Sequence, residues 1–279
     1  MTDADYCQAQ VRRFDPDRFL CAQFAPRERR GDLLALLAFN TEVTRIPELV
    51  CEPTLGLMRL SWWRDAMEGI FSGSPPDHPV ARALSRTVEG LSRAPFEALF
   101  DAREKDFHEA AFPDLADLEA YCAATSAGLA ELSLTVLGVT EPKALEAGRS
   151  VGTAWALSGL LRAVPFHARK RRCYLPDAVI ERAGGDRASF RSELFEGRGG
   201  GVMEAGIAAV AGRAEALLRA ARDRRPGVPR AALSALLPAR LASSDLSNLA
   251  RAGFDPFKGG GKNAARLLSL IVGAFTGRY

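Results

Sequence analysis

The chain has 279 residues, 47% hydrophobic and 25% charged, enough length and apolar content for a large buried core and too apolar for intrinsic disorder. A net charge of +3 permits contact with anionic lipid or phosphate, while arginines spread along the chain without a DNA- or RNA-binding module exclude nucleic acid. Five cysteines, at 7, 21, 51, 122 and 173, have neither C-x-x-C pairing nor the density of a disulfide scaffold, so a reducing compartment is expected.

The N-terminus reads Met1-Thr2-Asp3-Ala4-Asp5, acidic where a secretory or mitochondrial leader is basic. The expectation is a cytoplasmic protein without signal or transit peptide, at most peripheral at the inner membrane. Leu33, Leu34, Leu36, Leu37, Phe39 and Val43 recur at helical spacing, and 54–71 reads as a second apolar helix with Leu57, Met58, Leu60, Trp62, Trp63, Met67 and Ile70. Pro75-Pro76 and Pro95 break the chain beyond this second helix. Residues 115–137 predict one long helix with Asp114 as its N-cap.

Glu141-Pro142 opens the next helix, whose apolar face is Val151, Ala154, Trp155, Leu157, Leu160, Leu161 and Val164. Pro165 ends or kinks it. The basic run Arg169-Lys170-Arg171-Arg172 comes next, readable either as a solvated run favoured by the helix dipole or as anion contacts. Glycines at 184–185 and 197–201 frame a segment, 184–201, expected to be a mobile loop. Helices over 205–222, 230–242 and 262–275 complete the chain, broken at 226–229 and 259–261. The apolar run 267–275 is too short to span a bilayer and reads as a core helix rather than an interfacial anchor. With no strand series and no repeat, an all-α single domain over 1–279 is expected.

Three histidines, at 78, 108 and 167, are too few and too scattered for a metal-spacing argument. Asp101, Glu104, Asp106 and Glu109, interleaved with Arg103 and Lys105, read as a solvated helix surface. Trp62-Trp63 reads as core, and the glycines before Lys262 lack P-loop spacing.

Residues 152–176 resemble the second signature of the squalene/phytoene synthase family, G-x-A-x-Q-L-T-N-I-L-R-D-V-x-x-D running on to G-R-x-Y-L-P. Gly152, Ala154, Leu157, Ser158, Leu160, Leu161, Arg162, Val164, Arg172, Tyr174, Leu175 and Pro176 match or replace conservatively. Ala156 and Gly159 stand where that pattern has glutamine and asparagine, and Ala163 and His167 where it has two metal-binding aspartates. The first signature, A-F-C-R-x-V-D-D-I-x-D-E, resembles 38–48, with Thr44 and Arg45 replacing the paired aspartates and Glu48 keeping a carboxylate. Arg18-Phe19, Ala25-Pro26-Arg27 and Tyr121-Cys122 with Gly128 extend the likeness along nearly the whole chain.

The resemblance implies an isoprenoid-synthase-like helical bundle around a central cavity. Condensing prenyl diphosphates uses Mg²⁺ ions held by carboxylates to neutralise the leaving diphosphate. Thr44, Arg45, Glu48, Ala163 and His167 are thus degenerate positions that imply no catalytic residues, no metal site and no cofactor. Retained frame and eroded acids resemble the mitochondrial complex I assembly factor branch and its bacterial relatives, whose likeness is carried by Ala38-Phe39-Asn40, Glu42, 52–60, Trp63, Pro75-Pro76 and 78–81. That implies a non-catalytic role with respiratory complex I subunits or assembly intermediates, or binding of an isoprenoid or anionic lipid. Arg45, Arg59, Arg64, Arg162, Arg172 and Tyr174 are the candidate ligand contacts, since guanidinium donors hold phosphate or carboxylate without a metal. The alternative is an active prenyltransferase condensing farnesyl or geranylgeranyl diphosphate with Mg²⁺. A lipid-binding protein unrelated to respiration is a further alternative.

Overall fold

A computed structural model describes residues 1–108, 112–258 and 263–279, with side chains of the last segment described from Arg266. Its helices in chain order are α1 (Asp3–Phe14), α2 (Pro16–Ala22), α3 (Arg27–Leu49), α4 (Pro53–Phe71), α5 (Pro79–Ser85), α6 (Ala94–Glu104), α7 (Leu115–Cys122) and α8 (Gly128–Val136). They continue with α9 (Pro142–Arg162), α10 (Val164–Arg169), α11 (Asp177–Arg182), α12 (Arg187–Phe195), α13 (Gly201–Asp223), α14 (Leu233–Leu236), α15 (Pro238–Arg251) and α16 (Asn263–Thr276). No strand occurs among the described residues, so the expected all-α class holds.

The axis of the bundle is α9, which packs against α7, α8, α13, α14 and α15. Its middle, from Val151 to Trp155, is buried all round, as a helix enclosed on every side must be. Gly152 allows the closest approach: a Cβ there would lie 2.6 Å from the Ala127 Cα, so any larger residue would push the helices apart. The buried apolar residues from Cys7 to Tyr279 form one cluster. All five cysteines are free, and burial pushes the Cys7 and Cys122 thiols up to about 12, as suits inert packing groups.

Several expected elements differ in detail. The helix predicted over 115–137 does begin at the Asp114 cap, whose carboxylate accepts from Ala116 and Asp117 N–H at 2.8 and 3.0 Å. A π turn, Ala123–Ala127, then separates α7 from α8. The break expected at Pro165 is present just ahead of it: α9 stops at Arg162, and the proline sits in the first turn of α10, where its missing N–H costs nothing. For the same reason Pro238 starts α15 and splits the helix predicted over 230–242. The segment 184–201 is not loop throughout. It contains α12, capped by the Asp186 carboxylate accepting from Ser189 N–H at 2.9 Å and followed by Gly197 at φ 71°.

The C-terminal run expected as a core helix is core on one side only. In α16, Leu270 and Ala274 are buried, while Leu267, Leu268, Ile271, Val272 and Phe275 are exposed. The glycines at 259–261 and Lys262 lie outside the described residues.

Candidate functional site

A cavity of about 300 Å³ opens between the C-terminal half of α3 and the segment running from α9 into α10. Helical spacing explains which residues reach it. Thr41, Thr44, Arg45 and Glu48 fall three and four apart on one face of α3, and Ala156, Gly159, Leu160 and Ala163 do the same on α9, with His167 beyond them on α10. The two degenerate signatures therefore face each other across one space, the central cavity expected of the bundle.

Of the six residues expected to contact a ligand, Arg45, Arg172 and Tyr174 line the cavity. Arg59, Arg64 and Arg162 do not. Arg64, on α4, pairs with Asp101 at 2.9 Å and Glu104 at 3.1 Å of α6. Arg162 precedes the cavity residue Ala163 by one position, about 100° around the helix, and so points away to Asp17 at 3.2 Å and Asp245 at 3.3 Å. Arg59 borders a separate pocket with Trp62, Trp63 and His78. Trp63 is core, as expected, but Trp62 is 43% exposed.

The residue most consequential for the site is Asp106, which the acidic pattern places on a solvated surface. Asp101 and Glu104 do lie there, and Glu109 falls outside the described residues. Asp106 instead sits in a 3₁₀ turn, Lys105–Phe107, that breaks the α register and turns its carboxylate inward, leaving it 5% exposed. Its Oδ1 accepts from the Tyr121 hydroxyl at 2.8 Å and the Tyr174 hydroxyl at 2.9 Å. Its Oδ2 accepts from Arg103 at 3.1 Å, and Arg103 also donates to Tyr121 at 2.8 Å and to Thr44 Oγ1 at 3.3 Å. Burial raises the pKa of both tyrosines, with Asp106 adding to the rise, so both stay protonated donors at neutral pH. The signal for this carboxylate was the two motif tyrosines, since a buried phenol needs an acceptor.

His167 lies against Tyr174 with ring centroids 4.6 Å apart and the planes tilted by 44°, and its Nδ1 is buried without a hydrogen-bond partner. Burial pushes its pKa down to about 4, against the opposing pull of Asp106, so the imidazole is neutral at neutral pH. Asn40, 4% exposed on the α3 side of the cavity, also has its side-chain oxygen unpartnered. Arg45 holds its guanidinium 3.3 Å above the centre of the Phe14 ring. Asp15 is bonded to Arg18 at 3.0 Å, and Asp106 to Arg103. Among the described residues this leaves Arg45, Lys170 and Arg172 facing Glu48 as the only other carboxylate on the lining, an excess of positive charge.

These residues do not fit a Mg²⁺ cluster. The ion takes near-octahedral oxygen ligands. Asp15 and Asp106 are held by arginines, Glu48 stands alone, and no group of three His, Cys, Asp or Glu placed to hold a metal occurs among the described residues.

The family model of squalene/phytoene synthase matches residues 11–269. The chain belongs to this family. It is 32% identical to rat NADH dehydrogenase (ubiquinone) complex I, assembly factor 6, over 98% of this chain and 82% of the rat protein. It is 27% identical to presqualene diphosphate synthase of Rhodopseudomonas palustris over 60% of each chain. Among solved structures, a dehydrosqualene synthase superposes with TM-score 0.84 at 20% identity, covering 99% of this chain and 97% of the other. The squalene synthase of Alicyclobacillus acidocaldarius gives 0.80 at 22% identity, covering 91% and 95%. These likenesses bear out the expected isoprenoid-synthase helical fold.

Proposed function

We propose that this family member serves in the assembly of respiratory complex I rather than as a synthase, and that its cavity holds an anionic ligand directly. The observation that carries the reading is the charge of the cavity: where a synthase needs carboxylates, α3 offers Thr44 and Arg45, and the end of α9 with α10 offers Ala163 and His167. Similarity along 98% of the chain to a complex I assembly factor supports the same role. Arg45, Lys170 and Arg172 replace the metal as the source of positive charge, and guanidinium forks bind phosphate or carboxylate oxygens without one. Tyr174 is committed to Asp106 and shapes the cavity wall rather than donating to the ligand. Among the described residues no helix is long and apolar enough to cross a membrane, so contact with membrane-embedded assembly intermediates is peripheral.

Prenyl transfer is the competing reading, favoured by the similarity to presqualene diphosphate synthase. Incubation with farnesyl and geranylgeranyl diphosphate and Mg²⁺, followed by mass spectrometry for released diphosphate and condensed hydrocarbon, decides between them. The expected result is intact substrate; turnover overturns the proposal. In parallel, deleting the chromosomal copy is expected to reduce assembled complex I on native gels. Normal complex I levels in the deletion strain overturn the assembly role even if no prenyl transfer is found.

A further inference from the structure

The helix α16 is oriented by contacts that leave no choice of face. Arg266 donates to Asp17 at 2.7 Å and pairs with Asp245, Ser269 accepts from Arg240 at 3.0 Å, and Leu270 and Ala274 are buried. The face turned outward carries Leu267, Leu268, Ile271, Val272 and Phe275, with Leu268 62% and Phe275 78% exposed. At successive positions i, i+1, i+4, i+5 and i+8, these side chains form one stripe about 140° wide. No acidic residue occurs in the helix.

Arginines gather at the C-terminal end of this stripe. Arg278 is exposed just beyond the helix, and its carbonyl accepts from Arg240 at 3.5 Å. Arg222 donates to the Tyr279 carbonyl at 3.3 Å, and Arg225 is exposed near the Tyr279 phenol, whose pKa burial raises against the opposing pull of Arg225 and Arg224. The nearby acids Asp17 and Asp245 are taken up by Arg162 and Arg266, and Arg240 is bonded to Ser269 on the inward face, leaving the exposed Asp223 against three exposed arginines, Arg222, Arg225 and Arg278.

We propose that α16 docks the protein on an anionic lipid surface, lying flat with its stripe at the boundary of headgroups and acyl chains and these three arginines against the headgroups. Two properties select this occupant. A 14-residue helix is about 21 Å long, too short to span a bilayer and of a length that lies in its plane. Apolar contact edged by positive charge complements a surface that is apolar beneath and anionic above. A second copy of this chain would offer the stripe an apolar face but bring no anionic one to the arginines. None of these residues lines the cavity, so the docking surface stands whichever way the prenyl-transfer test falls.

The test is flotation of the full chain with vesicles of phosphatidylcholine alone and of phosphatidylcholine mixed equally with phosphatidylglycerol. Binding is expected only to the mixed vesicles, weakening as salt is raised. The double variant Leu268→Glu/Phe275→Glu alters exposed positions only, so its circular dichroism should match the parent, and its binding should fall by at least about a hundredfold. Arg225→Gln and Arg278→Gln should each weaken binding about fivefold, whereas Phe275→Leu should retain it. The proposal is overturned if the parent ignores anionic vesicles, or if the folded double variant still binds them. It is equally overturned if light scattering finds a dimer that the double variant dissolves while vesicle binding stays unchanged.

Discussion

The two walls of the cavity treat their polar groups in opposite ways. On one, both oxygens of Asp106 are taken, by Tyr121, Tyr174 and Arg103. On the other, formed by α3, Asn40 Oδ1 has no partner, and Arg45 rests on an aromatic ring instead of a carboxylate. A buried carboxylate so fully engaged serves the architecture, whereas unsatisfied polar atoms beside uncommitted cations are what a ligand would satisfy. A carboxylate on a cavity wall is therefore evidence of chemistry only when its oxygens are available.

The sharpest way to break this contrast is Asp106→Ala, which strands the buried Arg103 and two phenols. It should cost about 3–5 kcal/mol in urea unfolding, and a near-neutral result would mean the closed wall carries no stability. Next is pH. The His167 pKa is pushed down to about 4 in the fold against about 6.5 unfolded, so as pH falls the unfolded chain takes up the proton first. The stabilisation is complete above about pH 6.5 and is lost as pH falls towards 4, by up to about 3 kcal/mol. Urea titrations across that window should show a larger loss in the parent than in His167→Gln, where His78, whose pKa burial also lowers, still contributes.

Smaller effects separate the walls further. Tyr174→Phe removes one of the three donors to Asp106 and should cost about 1–2 kcal/mol, measured as a lowered unfolding midpoint. Arg45→Ala, on the open wall, should cost under about 1 kcal/mol of stability. The same variant should weaken binding of inorganic diphosphate without Mg²⁺ about tenfold by calorimetry. If Arg45→Ala destabilises as much as Tyr174→Phe, the two walls are not distinct.

Much of the fold was legible because helical spacing needs only local geometry. The apolar residues of α3, α4 and α9 announced those helices, and the positions of Thr44, Arg45, Glu48, Ala163 and His167 announced a shared cavity. What escaped depends on single-residue changes of direction. Asp106 is turned inward by a 3₁₀ turn that no periodicity reveals, and Arg162 points off the site because its neighbour points into it. Arg64 has the chemistry of a ligand contact, but acids from α6 claim it. The exposed stripe of α16 has the composition of a core helix, and only the position of α15 and Arg266 decides which half of it is covered.

The π turn between α7 and α8 has a bearing on how this region tolerates change. Within it Thr125 Oγ1 donates to the Tyr121 carbonyl at 2.8 Å, and Ser126 Oγ accepts from Arg18 at 3.0 Å. Ahead of it Tyr121 is anchored to Asp106; behind it Leu129, Leu132 and Ser133 are buried. Loss of one residue within 123–127 would let the helix close in regular α winding with α8 left nearly in place, since the i→i+5 closure spans five residues where α winding spans four. The same loss inside α8 would turn everything after it by about 100°, so the π turn is the one place between Leu115 and Val136 where a residue can be removed without redirecting the buried face of α8.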